Sequence, residues 1–274
     1  LKAVRMRARL ILFSPLLLFL AAAYIVPFLG VMSLSVTTPT PGLGQYEVAL
    51  TDPLVLSVMW RTLRICVIVT VLSTLFAYIV TYLWVRGGPT TRVVIELCIM
   101  IPFWISVLTR AFGWLALLSN RGLINTWLEQ LAILSDPLTM VRNEFGVIVG
   151  MVHFLVPLAV FPLATAMRNV DERVLMAARG MGASRIRIFW QLFVPMTWNG
   201  IAGAALLVFV FGIGFYITPA LLGGGRSVMV AELVYLRIFQ VPDWGLAAAI
   251  SVLLMATVGF LLAFMMRLGK GVNP

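Results

Sequence analysis

The sequence predicts an all-α integral membrane protein with six transmembrane helices and both termini in the cytoplasm. Three observations predict it. The chain is 62% hydrophobic and only 11% charged, whereas soluble domains are about 45–50% apolar and about 25% charged. Its 274 residues separate into six apolar runs, each near the roughly 20 residues that cross a bilayer as a helix. The basic residues gather at the ends of those runs, biased to one side. A net charge of +10 on a soluble protein would suggest nucleic acid. Here no nucleic-acid module stands between the runs, and membrane lipid is the expected surrounding.

Each run can be justified in turn. Lys2, Arg5, Arg7 and Arg9 precede an apolar run over about residues 10–32. It is longer than a signal-peptide core and lacks a small-residue cleavage site, so it is read as the first span. The sequence opens at Leu1, and a short preceding piece is expected. Thr37-Thr38-Pro39-Thr40-Pro41-Gly42 then breaks the helix, and no Lys or Arg occurs between Arg9 and Arg61, so the loop over 36–52 is placed outside.

The second span covers about 58–84, with Arg61 and Arg64 able to snorkel outward. Arg86-Gly87-Gly88-Pro89-Thr90-Thr91-Arg92 makes a cytoplasmic turn into a third span, about 93–117. A short interfacial helix is expected over 122–128, and a fourth span over about 145–167. The fifth covers about 200–220, and the stretch 228–239 is too polar and short to cross. The sixth covers about 245–266 and ends at Arg267 and Lys270. This leaves a cytoplasmic segment over 168–199 within one transmembrane domain, 1–274. In this topology thirteen of the 20 basic residues fall inside, against seven outside, which fixes both termini in the cytoplasm. Cys66 and Cys98 both lie in apolar runs and read as small buried hydrophobes.

The cytoplasmic segment carries the functional signal. Asp171 can cap a short helix from Glu172 to Met181, with Gly182 at its C′ position. Ser184 can cap a second helix leading to Pro195. Ala177 and Ala178 on the surface of the first helix would let another protein approach closely, and Arg173, Arg179, Arg185 and Arg187 add charge. The simpler alternative is an interfacial helix whose basic residues touch lipid headgroups.

This stretch resembles the EAA motif of permease subunits of ABC importers, E-A-A-x3-G-x9-I-x-L-P. Ala177 and Ala178 match the alanines, Gly182 the glycine, Leu192 and Val194 the aliphatic places, and Pro195 the proline. Met176 stands where the motif has glutamate, so the polar contact that this carboxylate makes to the ATPase is absent here. Ile101-Pro102-Phe103-Trp104, Gly122-Leu123-Ile124-Asn125 and the run Val241 to Ala249 are similar to spermidine/putrescine-type permeases, over about residues 45–267.

The resemblance implies a type I ABC importer fold in a bacterial cytoplasmic membrane. It implies a second permease subunit (identical or not), two ATP-binding cassette ATPases and an extracytoplasmic substrate-binding protein. Glu172, Met176, Ala177, Ala178, Gly182, Leu192 and Pro195 become the ATPase-coupling residues, and polyamine or a related small organic cation becomes the expected substrate. An amino acid-like compound, a phosphonate or a metal ion is the alternative within the class. No G-x-x-x-x-G-K-[ST] occurs; Gly269-Lys270-Gly271 is the nearest fragment. ATP hydrolysis is therefore expected of a partner, and this chain is expected to need no cofactor and to be no enzyme.

Polar residues within the spans are pathway candidates, because a charge in hydrocarbon costs roughly 2.5–3.5 kcal/mol on insertion scales. Glu96 reads either as a cation-attracting wall or, more simply, as a partner of Arg86 or Arg92. His153 reads as a histidine bonded to a carbonyl freed by Pro157, or as a gate. Trp104, Phe112 and Trp114 read as an interfacial belt or as a cation–π surface. Glu232 and Asp243 read as solvated outer charges or as contacts for cation or docking protein.

Two other classes fit less well. An intramembrane serine protease would need a glycine-framed serine, and no G-x-S-x-G occurs. A secondary transporter would be expected to carry internal repeats, broken helices and paired intramembrane acids, and none of the three is read in this sequence.

Overall fold

The computed structural model describes the backbone of residues 2–133 and 136–270, and the side chains of 13–16, 18–133 and 136–263. The side chains of Lys2, Arg5, Arg7, Arg9, Arg267 and Lys270, and Gly271 of the glycine–lysine fragment, lie outside the described residues. Among the described residues there is no strand.

Helix α1 (Lys2–Thr37) carries Pro15 and Pro27 inside it, and its stretch Phe13–Thr37 is long and apolar enough to cross a membrane. The loop expected over 36–52 is shorter than the sequence suggested. Gly44–Thr51 forms α2, tied back by Ser35 Oγ to Tyr46 Oη at 2.7 Å. Helix α3 (Pro53–Arg86) begins five residues before the expected span. The cause is local: Asp52 Oδ1 accepts from Leu54 N at 2.8 Å, and Pro53 suits the first helical position.

The third expected span is not straight. It divides into α4 (Pro89–Trp104) and α5 (Val107–Leu118), and the chain bends by 104° between them. Pro102 weakens the last turn of α4 because it lacks a backbone donor, and Ile105 leaves the helix in an extended conformation. Helix α6 (Leu123–Gln130) matches the short helix expected there. Helix α7 (Glu144–Arg168) starts at Asn143, whose side chain accepts from Gly146 N at 3.0 Å.

Helix α8 (Glu172–Gly180) is followed by α9 (Arg185–Ile188), a π turn (Phe189–Phe193) and α10 (Val194–Met196). A 62° bend at Thr197 leads into α11 (Trp198–Ile213). The fifth expected span therefore stops at Ile213, where Gly214 and Phe215 unwind before α12 (Ile217–Leu222). Helix α13 (Val230–Phe239) and the long α14 (Trp244–Lys270) complete the order. Among the described residues four helices are long and apolar enough to cross a membrane, and the two bent pairs raise the number to six.

The chain forms two compact units. In the smaller, residues 1–56 with 233–257, Gly245 at the start of α14 passes so close to the Thr38 carbonyl that a Cβ would sit 2.1 Å from it. In the larger, residues 57–232 with 258–274, α7 and α11 form the core. Met151, Leu155, Val160 and Leu163 are fully buried in α7, as are Ala204 and Val208 in α11.

Glycine makes this approach possible: a Cβ on Gly200 would lie 2.3 Å from the Ala166 Cβ. In a bilayer, small residues at such crossings replace the missing hydrophobic drive with close packing. We expect Gly200→Val to cost about 1–3 kcal/mol through overpacking, read as a lowered Tm of the detergent-solubilised chain. An unchanged Tm would mean that this crossing is not a tight contact.

Candidate functional site

The site expected over the cytoplasmic segment is built from the bottom by its caps. Asp171 Oδ1 accepts from Arg173 N at 2.9 Å and starts α8. Gly182 has φ +85°, a left-handed conformation that favours glycine. Its N–H bonds the Arg179 carbonyl at 2.9 Å, and the Ala183 N–H bonds the Ala178 carbonyl at 3.1 Å. That pair of bonds is a Schellman ending. Ser184 Oγ then accepts from Arg187 N at 3.3 Å and starts α9.

The segment is not a loose surface loop. Leu175 and Ala178 of α8, Ile188 of α9 and Phe193 of the π turn are buried with Met167 and Val170 in one apolar cluster. Tyr78 and Tyr82 of α3 close it from the side. The Tyr82 ring meets Phe189 at 5.4 Å and Phe193 at 5.3 Å, both edge to face, a favoured geometry for aromatic pairs. Tyr78 Oη lies 2.9 Å from Thr197 Oγ1, at the bend into α11.

Ala178 therefore differs from its expected place. It is 6% exposed and packs inward, because the spacing from Leu175 puts both on one helix face. Ala177, Met176 and Met181 face outward, Met176 at 57% and Met181 at 83% exposure. Leu192 is half-buried against the same cluster. Pro195 does not end the second helix. It sits in α10 directly after the π turn, where Val194 N reaches back five residues to the Phe189 carbonyl. A wide turn at this point accommodates a residue that has no backbone donor.

Glu172 is engaged within the chain. Its Oε1 accepts from Arg86 Nη1 at 2.6 Å, and Arg86 Cζ also lies 5.1 Å from the centre of the Phe193 ring. The expected pairing of Glu96 with Arg86 or Arg92 is absent among the described residues. Arg86 is held by Glu172 instead, and Glu96 is exposed.

The pathway candidates separate into distinct places. Trp114 Nε1 donates to His153 Nδ1 at 3.1 Å. This replaces the expected bond of His153 to a carbonyl, because the indole of α5 reaches the ring of α7 first. In a neutral imidazole that acceptor role leaves the proton on Nε2. Arg110 adds to this cluster, with its Cζ 4.1 Å from the Phe154 ring centre.

Trp104 is 82% exposed and meets its neighbour Phe103 edge to face. Asp243 caps α14, accepting from Leu246 N at 3.0 Å, so it is a structural cap rather than a free loop charge. Glu232 is likewise not solvated: it is 7% exposed. Cys66 is buried and Cys98 exposed.

No run of residues announces Arg86 as a partner of Glu172, because 86 positions separate them. The aromatic cluster was also missed, since Tyr78 and Tyr82 lie more than 100 residues from Phe189 and Phe193 in the chain. Their spacing of four residues within each helix was the available signal.

Burial raises the Glu232 carboxyl above the ordinary carboxylate range, and a bond from the Met229 backbone lowers it by less. The folded state therefore holds its proton more tightly than the unfolded chain does. Stability falls as pH rises from the ordinary carboxylate range through the raised value, and then levels. Glu232→Gln should flatten that slope in a Tm-against-pH series; an unchanged slope would exclude this residue as its cause. For the ion pair, a double-mutant cycle with Arg86→Ala and Glu172→Ala should give a coupling of about 0.5–1 kcal/mol, since Glu172 is largely exposed. Phe193→Ala should cost about 3–5 kcal/mol. Equal, small effects from all three substitutions would contradict this packing.

No family model matches the sequence. The chain is 29% identical over 271 residues to a spermidine/putrescine transport system permease protein of Haemophilus influenzae, covering 96% of this chain and 93% of the relative. It is 28% identical over 224 residues to that of Escherichia coli, covering 82% of each. Among solved structures, a bacterial alginate ABC transporter in complex with a periplasmic protein aligns with TM-score 0.84 at 13% identity, over 99% of this chain and 96% of that one. The MetNI methionine ABC transporter aligns with TM-score 0.61 at 15% identity, over 82% of this chain and 100% of that one. Over nearly its whole length the chain is similar in sequence to spermidine/putrescine permeases, and its fold is that of the permease subunits of ABC importers.

Proposed function

We propose that residues 1–274 act as one permease domain, forming half of the translocation pathway of an ATP-driven, binding-protein-dependent importer. α8 is the coupling helix that docks on a separate ATPase. The observation that carries this reading is the two-sided character of α8. Leu175 and Ala178 anchor one side in the chain's own core, while Val174, Met176 and Met181 are exposed apolar residues on a capped, basic element. Exposed apolar groups beside a rigid support suit protein docking. The basic surplus on this segment supports its placement, with both termini, on the cytoplasmic side of a bacterial inner membrane.

The remaining partners follow from the same reading: a second permease subunit, identical or different, and an extracytoplasmic substrate-binding protein. Polyamine is the substrate class we favour, supported by the names of the sequence relatives. Trp104, exposed at the bend that ends α4, and Glu96, exposed eight residues earlier in the same helix, are an aromatic face and a carboxylate that suit an organic cation.

Met176 has no carboxylate to offer the ATPase, and Glu172 is bonded to Arg86. Docking is therefore carried mainly by apolar contact. We expect Met181→Asp to reduce ATPase co-purification at least about tenfold, the equivalent of about 1.4 kcal/mol, with the permease still folded by its Tm. Met176→Glu should leave binding within about twofold. Full ATPase retention in Met181→Asp would refute this docking face. Uptake of labelled spermidine by membrane vesicles that contain the assembled importer tests the substrate. Glu96→Gln should slow it, and no spermidine uptake by the unaltered importer would reject the polyamine reading.

A further inference from the structure

Two neighbouring hollows of the larger unit follow one face of α3 and share Phe189. The first is an apolar groove of about 510 Å³ lined from Thr70 to Ile79 on α3, and by Trp190, Val194, Ile201 and Ala205 across from it. Val71, Leu75 and Trp190 stand in it at 60%, 53% and 65% exposure. The second is a recess of about 100 Å³ beginning at Tyr82 and Arg86. Those two residues continue the helical face on which Tyr78 lines the groove.

The recess is strongly basic. Arg86, Arg179 and Arg185 line it, over the rings of Tyr82, Phe189 and Phe193. Guanidinium groups stay charged at any physiological pH. Only Glu172 answers them, through Arg86; among the described residues neither Arg179 nor Arg185 has a carboxylate within ion-pair distance. Three positive charges against one negative leave an excess that a phosphate oxyanion would neutralise, with guanidinium geometry suited to it.

We propose that groove and recess together bind one anionic phospholipid, its phosphate in the recess and an acyl chain along the groove. The recess alone would suit any oxyanion, and the groove alone would suit any lipid tail. They follow one another along α3 with Phe189 in the wall of both, so a molecule with both parts would occupy the two together. Thr70 to Ile79 spans about 14 Å at 1.5 Å per residue, close to the half-thickness of a hydrocarbon core of about 30 Å. Trp190 stands where the two meet, at a depth that suits an interfacial tryptophan. Basic pockets at the ends of membrane helices are known sites for anionic headgroups. The inference rests on α3 crossing the membrane, not on an ATPase docking at α8.

The test uses the complete chain, purified from membranes with its bound subunits. Native mass spectrometry should find phosphatidylglycerol retained after delipidation. In Arg179→Gln/Arg185→Gln its affinity should fall about thirtyfold, at about 1 kcal/mol per basic residue. Phosphatidylglycerol with brominated acyl chains should quench tryptophan fluorescence, and Trp190→Phe should remove that share of the quenching.

Both positions are exposed, so the arginine variants should fold; an unchanged Tm confirms it, and Arg185→Lys should keep most of the binding. Equal retention of phosphatidylcholine by both proteins would overturn the proposal. So would inorganic phosphate displacing phosphatidylglycerol and binding by itself in phosphatidylcholine vesicles, since the site would then serve a free anion. Absence of Trp190 quenching would also overturn it, because the groove would then be closed by protein.

Discussion

The packing of Tyr82 against the stacked rings of Phe189 and Phe193 is the contact on which the rest of the candidate site depends. It joins the end of a 34-residue helix to a segment that would otherwise be a short, basic connection between membrane spans. Around it, Met167, Val170, Leu175, Ala178 and Ile188 close a small core of their own. A nine-residue helix such as α8 is marginal alone in water; here the core, the Asp171 cap and the Schellman ending hold it. Arg86 adds a polar strut, bonded to Glu172 and seated against Phe193. These contacts tie the segment to α3 and, through the Tyr78–Thr197 pair, to the start of α11, the route by which we propose that a push on α8 travels.

The π turn explains how one segment can satisfy both demands. Pro195 cannot donate to the carbonyl four residues back, so a regular helix would leave an unpaired acceptor there. Widening the turn over Phe189–Phe193 redistributes those bonds, and Phe189 and Phe193, four residues apart, both meet Tyr82. The same geometry leaves Trp190 exposed on the other side, where the proposed lipid would lie. Coupling element and lipid site thus share one wall. An anionic lipid beneath α8 would neutralise charge on the segment that an ATPase is proposed to move.

Much of this was legible in the sequence, and the reasons differ by element. Helix starts and stops were readable wherever side-chain chemistry is local: Asp171, Gly182 and Ser184 act within three residues of themselves. The apolar runs gave the spans because bilayer thickness sets their length. The bends within the third and fifth runs were not legible, since composition does not distinguish a straight apolar helix from a broken one. Pro102 and Gly214 only hinted at them. Long-range pairings were hidden for a different reason. Arg86 with Glu172, and Trp114 with His153, depend on how helices meet, which a periodic pattern does not encode. Ala178 was misplaced because a small residue suits both a docking face and a tight internal contact.

The central claim is that residues 172–196 move as one body with the end of α3. Spin labels at Ile186 and Leu83, both exposed, measure it most directly in the assembled importer by pulsed electron–electron double resonance. The account predicts that this distance within one chain stays constant between nucleotide-free and ATP-bound states, while the distance from Ile186 to its counterpart in the second permease subunit shortens. A change in the Ile186–Leu83 distance between the two states would mean that the coupling segment swings independently of α3, and would contradict it.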